Sequence, residues 1–273
     1  MSPTIRIGEL EIKSVSDGTL KTSTDFVLGM DKAQADQLTN ADPDGSVRIP
    51  VNSFVFEQGD ALVLVDAGAG RTMQPTLGRL PENLNALDYS ADAITHVVMT
   101  HLHPDHANGL VDANGDALFP NAEILVHELE FDFWMGEGGS FENDVLKQQR
   151  ARNKINMKPY LDRVRRMRDG DVSVECSPML ASGHSPGHTC WRIGTGRNAF
   201  VAWGDLVHFS AIQIQHPGSA VKYDLDPEAA CRSRMRMLDM FATEGIAIAG
   251  AHVTAPGFGH ISRKGLGYVF DPS

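Results

Sequence analysis

The chain has 273 residues, with 24 Lys and Arg against 35 Asp and Glu, a formal charge of −11, and 11 His beside only 3 Cys. That length supports one large α/β domain or two small ones, and 42% hydrophobic against 22% charged residues excludes a wholly disordered chain. The acidic balance argues against nucleic acid, whose binding rests on Lys and Arg displacing counterions, and suits a small neutral or hydrophobic substrate.

No run approaches the roughly 18–20 apolar residues of a membrane span. Residues 1–8 lack the apolar region of a secretory signal, so a cytoplasmic protein is expected. Cys176, Cys190 and Cys231 are widely spaced with no CxxC and are read as reduced and structural.

In chain order, residues 22–50 contain Asp42-Pro43-Asp44-Gly45 and predict a long loop or arm with a short helical piece. Apolar runs at 51–56 and 61–65 predict a hairpin ending at Asp66-Ala67-Gly68. A third strand is expected over 93–99 and a fourth over 123–126. Residues 141–168 read as helical, broken by Pro159. Strands are expected again at 171–175, 178–181, 189–193 and 199–203. Asp226-Pro227-Glu228 is a helix start: cap, proline at the first position, acidic first turn. That helix runs to about Thr243, with Cys231, Met235, Leu238 and Ala242 on its apolar stripe and Gly245 as its stop. Residues 246–249 read as a last buried strand. The order predicts one layered α/β domain over 1–273.

Chemistry concentrates in Thr100-His101-Leu102-His103-Pro104-Asp105-His106, directly after the third strand. In extended chain alternate side chains share a face, so His101 and His103 point into one site. Asp105 and His106 follow the turn at Pro104 and aim at a second point. Imidazole and carboxylate together suit Zn²⁺ and similar divalent ions. Further candidates each follow a strand, where α/β enzymes place their sites: Gly183-His184-Ser185-Pro186-Gly187-His188, then Asp205, then His252.

The pattern His101-x-His103-x-Asp105-His106, with His188, Asp205 and His252, resembles the metallo-β-lactamase superfamily of binuclear metallohydrolases. Leu64-Val65-Asp66-Ala67-Gly68 and the 183–188 loop extend the resemblance over residues ~50 to 260. It looks closest to the methyl parathion hydrolase-like branch of lactonases, aryl esterases and phosphotriesterases. The stretches that carry this are Phe119-Pro120-Asn121-Ala122-Glu123, Asp132-Phe133-Trp134, Trp203-Gly204-Asp205-Leu206-Val207-His208 and Gly250-Ala251-His252.

The resemblance implies an αββα sandwich of two mixed sheets flanked by helices. It implies one divalent ion on His101, His103 and His188 and a second on Asp105, His106 and His252, with Asp205 bridging both. Zinc is the first choice, and Mn, Co or Fe suit the same ligands. Two ions about 3.5–4 Å apart can share a hydroxide made acidic enough to form near neutral pH. Asp105 is then a candidate proton carrier, and Asp66 a carboxylate behind a ligand histidine. His184 and His260 are expected to support loops rather than ligate. His208 stands where acyl-homoserine lactonases carry a tyrosine, and could donate a hydrogen bond to the substrate or a developing oxyanion. Trp134, Phe131 and Phe209 are the expected apolar walls of the substrate site. Family members are commonly homodimers, which would give the 22–50 arm something to hold.

The activity so implied is opening of a lactone or cleavage of an aryl or other carboxylic ester, with side activity on organophosphate triesters. Acyl-homoserine lactonase is the first alternative. A glyoxalase II-like thiolester hydrolase is the second, although that family adds a basic helical region where only about 20 residues follow His252 here.

Overall fold

The computed structural model describes residues 2–137, 141 and 143–273, the side chain of Arg197 excepted. The strands are β1 (Thr4–Ile7), β2 (Leu10–Ser23), β3 (Val27–Leu28), β4 (Ser46–Gln58), β5 (Ala61–Val65), β6 (His96–Val98), β7 (Glu123–His127), β8 (Val164–Met167), β9 (Cys176–Leu180), β10 (Thr189–Ile193), β11 (Phe200–Ala202), β12 (Ala220–Val221), β13 (Ala247–Ala249), β14 (Phe258–Lys264) and β15 (Gly267–Pro272). The α-helices are α1 (Lys32–Thr39), α2 (Leu80–Asn85), α3 (Pro104–Ala107), α4 (Glu128–Met135), α5 (Asp144–Met157), α6 (Ser210–Gln213) and α7 (Pro227–Glu244).

Two large sheets form, ordered β1-β2-β4-β5-β6-β7-β8 and β15-β14-β13-β11-β10-β9, with β12 and β3 pairing separately. Both are mixed: β5 through β8 run parallel, as do β11 and β13, and the remaining pairs are antiparallel. The two-residue period of a strand sorts side chains between layers. Phe54, Phe56, Val63, Val65, Val98 and Leu125 of the first sheet meet Trp191, Ile193, Phe200, Ala202, Ala249 and Phe258 of the second. The intervening residues Val55, Leu64, Val97 and Ile124 face outward onto Leu80 and Leu84 of α2, Trp134 of α4 and Met157 of α5. Likewise Cys190, Val201 and Ile248 face Met237, Leu238 and Phe241 of α7. Helix, sheet, sheet, helix is the layering that results, as the resemblance implied.

Several expectations are corrected. The ordered chain begins at β1, before the 51–65 hairpin; β2 escapes a pattern reading because a bulge between Ser16 and Gly18 breaks its alternation. Residues 22–50 carry a short helix, α1, as expected, within more regular structure than a loop or arm. They hold the end of β2, β3, α1 and the start of β4, and Val27, Ala35, Val47 and Ile49 pack with Phe209, Ile212 and Val221 of the same chain. The third strand is confined to β6, and residues 91–93 form a 3-10 turn. The helical stretch ends early: after Pro159 a 3-10 segment gives way to β8, paired parallel to β7. No strand forms at 171–175, where Val174 and Glu175 take left-handed φ values of 45° and 60°. The stripe of α7 is rotated by one residue: Ala230, Arg234, Met237, Leu238 and Phe241 are buried, whereas Met235 is 43% exposed. The β14–β15 hairpin follows β13, which is therefore not the last strand. Among the described residues no helix is long and apolar enough to cross a membrane.

Candidate metal centre

Strands of both sheets stop at one edge, and chemistry collects there. Asp66 follows β5, His101 to His106 follow β6 and continue into α3, His184 follows β9, Asp205 follows β11 and His252 follows β13. All are buried.

Among the described residues three groups of donor atoms could hold a cation: two share the Asp205 carboxylate, and a third of His184, His208 and Asp224 shares His184 with the first. In the first, His184 Nε2 lies 2.7 Å from His103 Nδ1, 3.2 Å from His101 Nε2 and 3.2 Å from Asp205 Oδ2. In the second, Asp205 Oδ1 lies 2.9 Å from His106 Nε2 and 3.2 Å from His252 Nε2, and Asp105 Oδ2 is 3.5 Å from His252 Nε2. The donor atoms within each group all lie within 4.8 Å of one another, near enough for one divalent ion to reach all four. His106 Nε2 and Asp205 Oδ1 are buried and, among the described residues, meet only other members of the group: each other at 2.9 Å and, for Oδ1, His252 Nε2 at 3.2 Å. A buried cluster of imidazoles and carboxylates of this kind is the donor set that a divalent cation uses.

The first group includes His184 and not His188. His188, expected as a ligand, has both ring nitrogens occupied: Nε2 accepts the Asp205 N–H at 2.9 Å and Nδ1–H donates to the Ala181 carbonyl at 3.1 Å. Burial and the neighbouring His184 lower its pKa to about 3, so it stays neutral in that tautomer. His184, expected only to support a loop, is the histidine whose Nε2 stands with His101, His103 and Asp205 in the first group.

A second layer of residues orients these ligands, as metal sites require. Asp66, in a left-handed conformation (φ 60°), accepts the His106 Nδ1–H, the Thr100 N–H and the Thr100 hydroxyl, each at 2.8 Å. His252 Nδ1–H donates to the Pro50 carbonyl at 2.7 Å. Asp224, which the sequence did not single out, lies 3.0 Å from His184 Nδ1. The buried Arg234 of α7 sits behind it. Its Nε donates to the Leu206 carbonyl at 2.6 Å and its Nη1 to the Ser219 carbonyl at 2.6 Å, fixing the loops that carry Asp205 and Asp224.

Burial alone would strip protons from these histidines, and it does so at His101 and His103, which lie well below the usual value. At His184 burial is outweighed by hydrogen bonds to Asp205 and Asp224, and the pKa rises to about 9. At His106 burial is outweighed by Asp205, Asp105 and Asp66, and the pKa is raised well above its ordinary value. At neutral pH the ion-free site therefore holds protons that a cation must displace. Metal uptake is expected to release protons and to weaken as pH falls, which titration calorimetry in buffers of different ionisation heat will read directly. Uptake without proton release would contradict these assignments.

A cleft of about 470 Å³ opens on the site, lined by His103, Asp105, His184, Asp205, His208 and His252. Its apolar wall comes from Leu20, Phe26, Ile49, Met73, Leu146, Tyr223 and Leu225. The expected walls are elsewhere. Trp134 is fully buried, its Nε1–H donating to Glu130 at 2.8 Å. Phe131 packs on the outer core under the Arg166 guanidinium. Phe209 belongs to the cluster that holds α1 and β3. Phe26 and Tyr223, which do line the cleft, stack at 4.8 Å across the β3–β12 pair, a contact with no signature in sequence. His208 is in the cleft as expected, with Nε2 2.9 Å from Asp205 Oδ2 and its ring stacked on His252.

Two face-to-face mixed sheets with two His/Asp groups sharing one carboxylate at their edge define a protein with a candidate site for divalent metal ions. The chain belongs to the metallo-β-lactamase superfamily, whose family model matches residues 47–239, more than half its length. It is 30% identical over 135 residues to the N-acyl homoserine lactonase AiiB of Rhizobium rhizogenes. That match covers 42% of this chain, which spans only 45% of the length of that relative. Among solved structures it resembles the hydrolase AbOPH of the beta lactamase superfamily, with TM-score 0.93, 28% identity and coverage of 100% and 97% of the two chains. It also resembles AidC, a dizinc quorum-quenching lactonase in complex with the product N-hexnoyl-L-homoserine, with TM-score 0.89, 27% identity and coverage of 99% and 96%.

Proposed function

We propose that this protein is a metal-dependent hydrolase that opens a lactone or cleaves a carboxylic ester. The observation that carries the reading is the pair of ligand groups sharing Asp205 at the floor of a mainly apolar cleft. Two divalent ions there, zinc in the first instance, would supply Lewis acidity and an activated water. The chain's residues do the rest. The cleft wall of Leu20, Ile49, Phe26 and Tyr223 holds an apolar substrate and excludes water from around its carbonyl group. His208 presents Nε2–H toward Asp205 Oδ2 and can turn that donor to the substrate's developing oxyanion. Asp105, whose Oδ2 faces the cleft beside His252 Nε2, carries a proton to the leaving oxygen.

Acyl-homoserine lactones are the substrates that the similarity to AidC and AiiB favours; an aryl ester or aryl phosphotriester suits the Phe26–Tyr223 stack. A cytoplasmic homodimer remains part of the same reading. The test is metal-reconstituted protein assayed with dihydrocoumarin, an acyl-homoserine lactone, a p-nitrophenyl ester and a dialkyl aryl phosphotriester. Turnover of a lactone or ester, lost to a chelator and restored by Zn²⁺, is expected. Full metal loading with no turnover of any of them would overturn the proposal.

A further inference from the structure

α4 contributes no ligand to either group, yet it carries a fully buried carboxylate beside them, Glu130. Four donors converge on it. Oε1 accepts the Leu102 N–H and the Trp134 Nε1–H, each at 2.8 Å. Oε2 accepts the Ser185 hydroxyl at 2.6 Å and the Gly187 N–H at 3.0 Å. A carboxylate has about four acceptor positions, so its capacity is filled.

The partners matter more than their number. Leu102 stands between His101 and His103, and Ser185 follows His184. One side chain therefore ties the loop holding two ligands of the first group to the loop holding the third. The Leu102 peptide is gripped from its other end too, its carbonyl accepting from Asn153 Nδ2 at 2.9 Å. The second loop lies directly against α4: a Cβ on Gly187 would fall 2.0 Å from the Glu130 backbone nitrogen, so only glycine permits the approach. The second group is held differently, through Asp66 behind His106 and the Pro50 carbonyl behind His252. None of the four bonds to Glu130 reaches it.

We propose that Glu130 is a positioning residue for the His101–His103–His184 group alone, fixing the separation of its two loops and hence the hold on the ion there. The proposal rests on the reading of these loops as ligand loops. A mere core residue would affect stability; this role predicts an effect confined to one of two ions.

The test is Glu130→Gln, which keeps the shape but sets an amide NH₂ against two donors. Metal-free protein is titrated with Zn²⁺ and Co²⁺ against a chromophoric chelator, and amide exchange is followed at Leu102 and Gly187. Wild type is expected to bind about two ions. In Glu130→Gln one ion should weaken roughly 10–100-fold while the other keeps its affinity. The Co²⁺ absorption of one site should change, and both amides should exchange faster without metal. Trp134→Phe removes a bond to the same carboxylate that ties no ligand loop and keeps an aromatic ring against His103, which Trp134 meets edge-on at 6.0 Å, so it should lower Tm with the metal affinities unchanged. Wild-type affinities in Glu130→Gln, or equal weakening of both ions, would overturn the proposal. Failure of wild type to bind metal would instead overturn the ligand reading, and the proposal with it. Should Glu130→Gln not fold, Ser185→Ala decides: one lost bond should weaken the same ion roughly twofold to tenfold, and no change refutes the role.

Discussion

His184→Ala is expected to lower bound metal from about two ions per chain to about one and to cut kcat/KM by more than about 100-fold. Its Nε2 stands within 3.2 Å of three other donor atoms of the first group. His188 lies four residues away in the same loop and is the informative comparison. His188→Ala removes two hydrogen bonds to buried backbone, from the Asp205 N–H and to the Ala181 carbonyl, at a cost of about 1–3 kcal/mol each. The variant should melt earlier and lose part of its activity, because the backbone of Asp205 loses its anchor, but should still hold about two ions. Metal analysis beside a thermal melt separates the two outcomes. Loss of an ion from His188→Ala with full retention in His184→Ala would reverse the assignment.

Asp205→Asn is expected to be the most damaging single change. Each oxygen of Asp205 serves a different group: Oδ2 faces His184 and His208, and Oδ1 faces His106 and His252. Asparagine keeps one acceptor and turns the other into a donor that cannot hold a cation. Both ions should therefore be lost or weakened, and turnover should fall beyond the roughly 10–100-fold typical of residues that only support ligands. There is a consequence without metal as well. Burial would raise the Asp205 pKa, but His106 and His252 outweigh it and hold the carboxyl well below its usual range. Without that anion His106 and His252 bind their protons less tightly, so the variant should release fewer protons on taking up any remaining ion. A variant that kept two tightly bound ions and wild-type turnover would show that Asp205 does not bridge the groups.

What was legible in the sequence follows from how far apart the cooperating residues lie. His101, His103, Asp105 and His106 occupy six consecutive positions after one strand, so strand geometry alone places them together. Asp205 and His252 were legible because each ends an apolar run, and in this fold such runs end at one edge. The choice between His184 and His188 was not legible. Both sit in one Gly- and Pro-punctuated loop, and what separates them is the Asp205 N–H, 17 residues downstream, which occupies the lone pair of His188. The cleft wall was equally hidden. Trp134 and Phe209 have the composition of a pocket wall, but apolarity does not distinguish a wall from a core. Phe26 and Tyr223 reach the cleft only because β3 pairs with β12 across almost two hundred residues.

By itself the sequence determined the chemistry of this protein: a surplus of histidine divided by carboxylates, set at the ends of buried strands, on a chain whose acidity turns away nucleic acid. Those are properties of side-chain type and local spacing. Tertiary structure alone decided which histidines stand together, which carboxylates stand behind them, and which apolar residues line the cleft. The physical reason is competition for a limited set of lone pairs and surfaces. A ring nitrogen joins a cluster only where the fold aims it there, and an aromatic ring is a wall only if no helix has covered it.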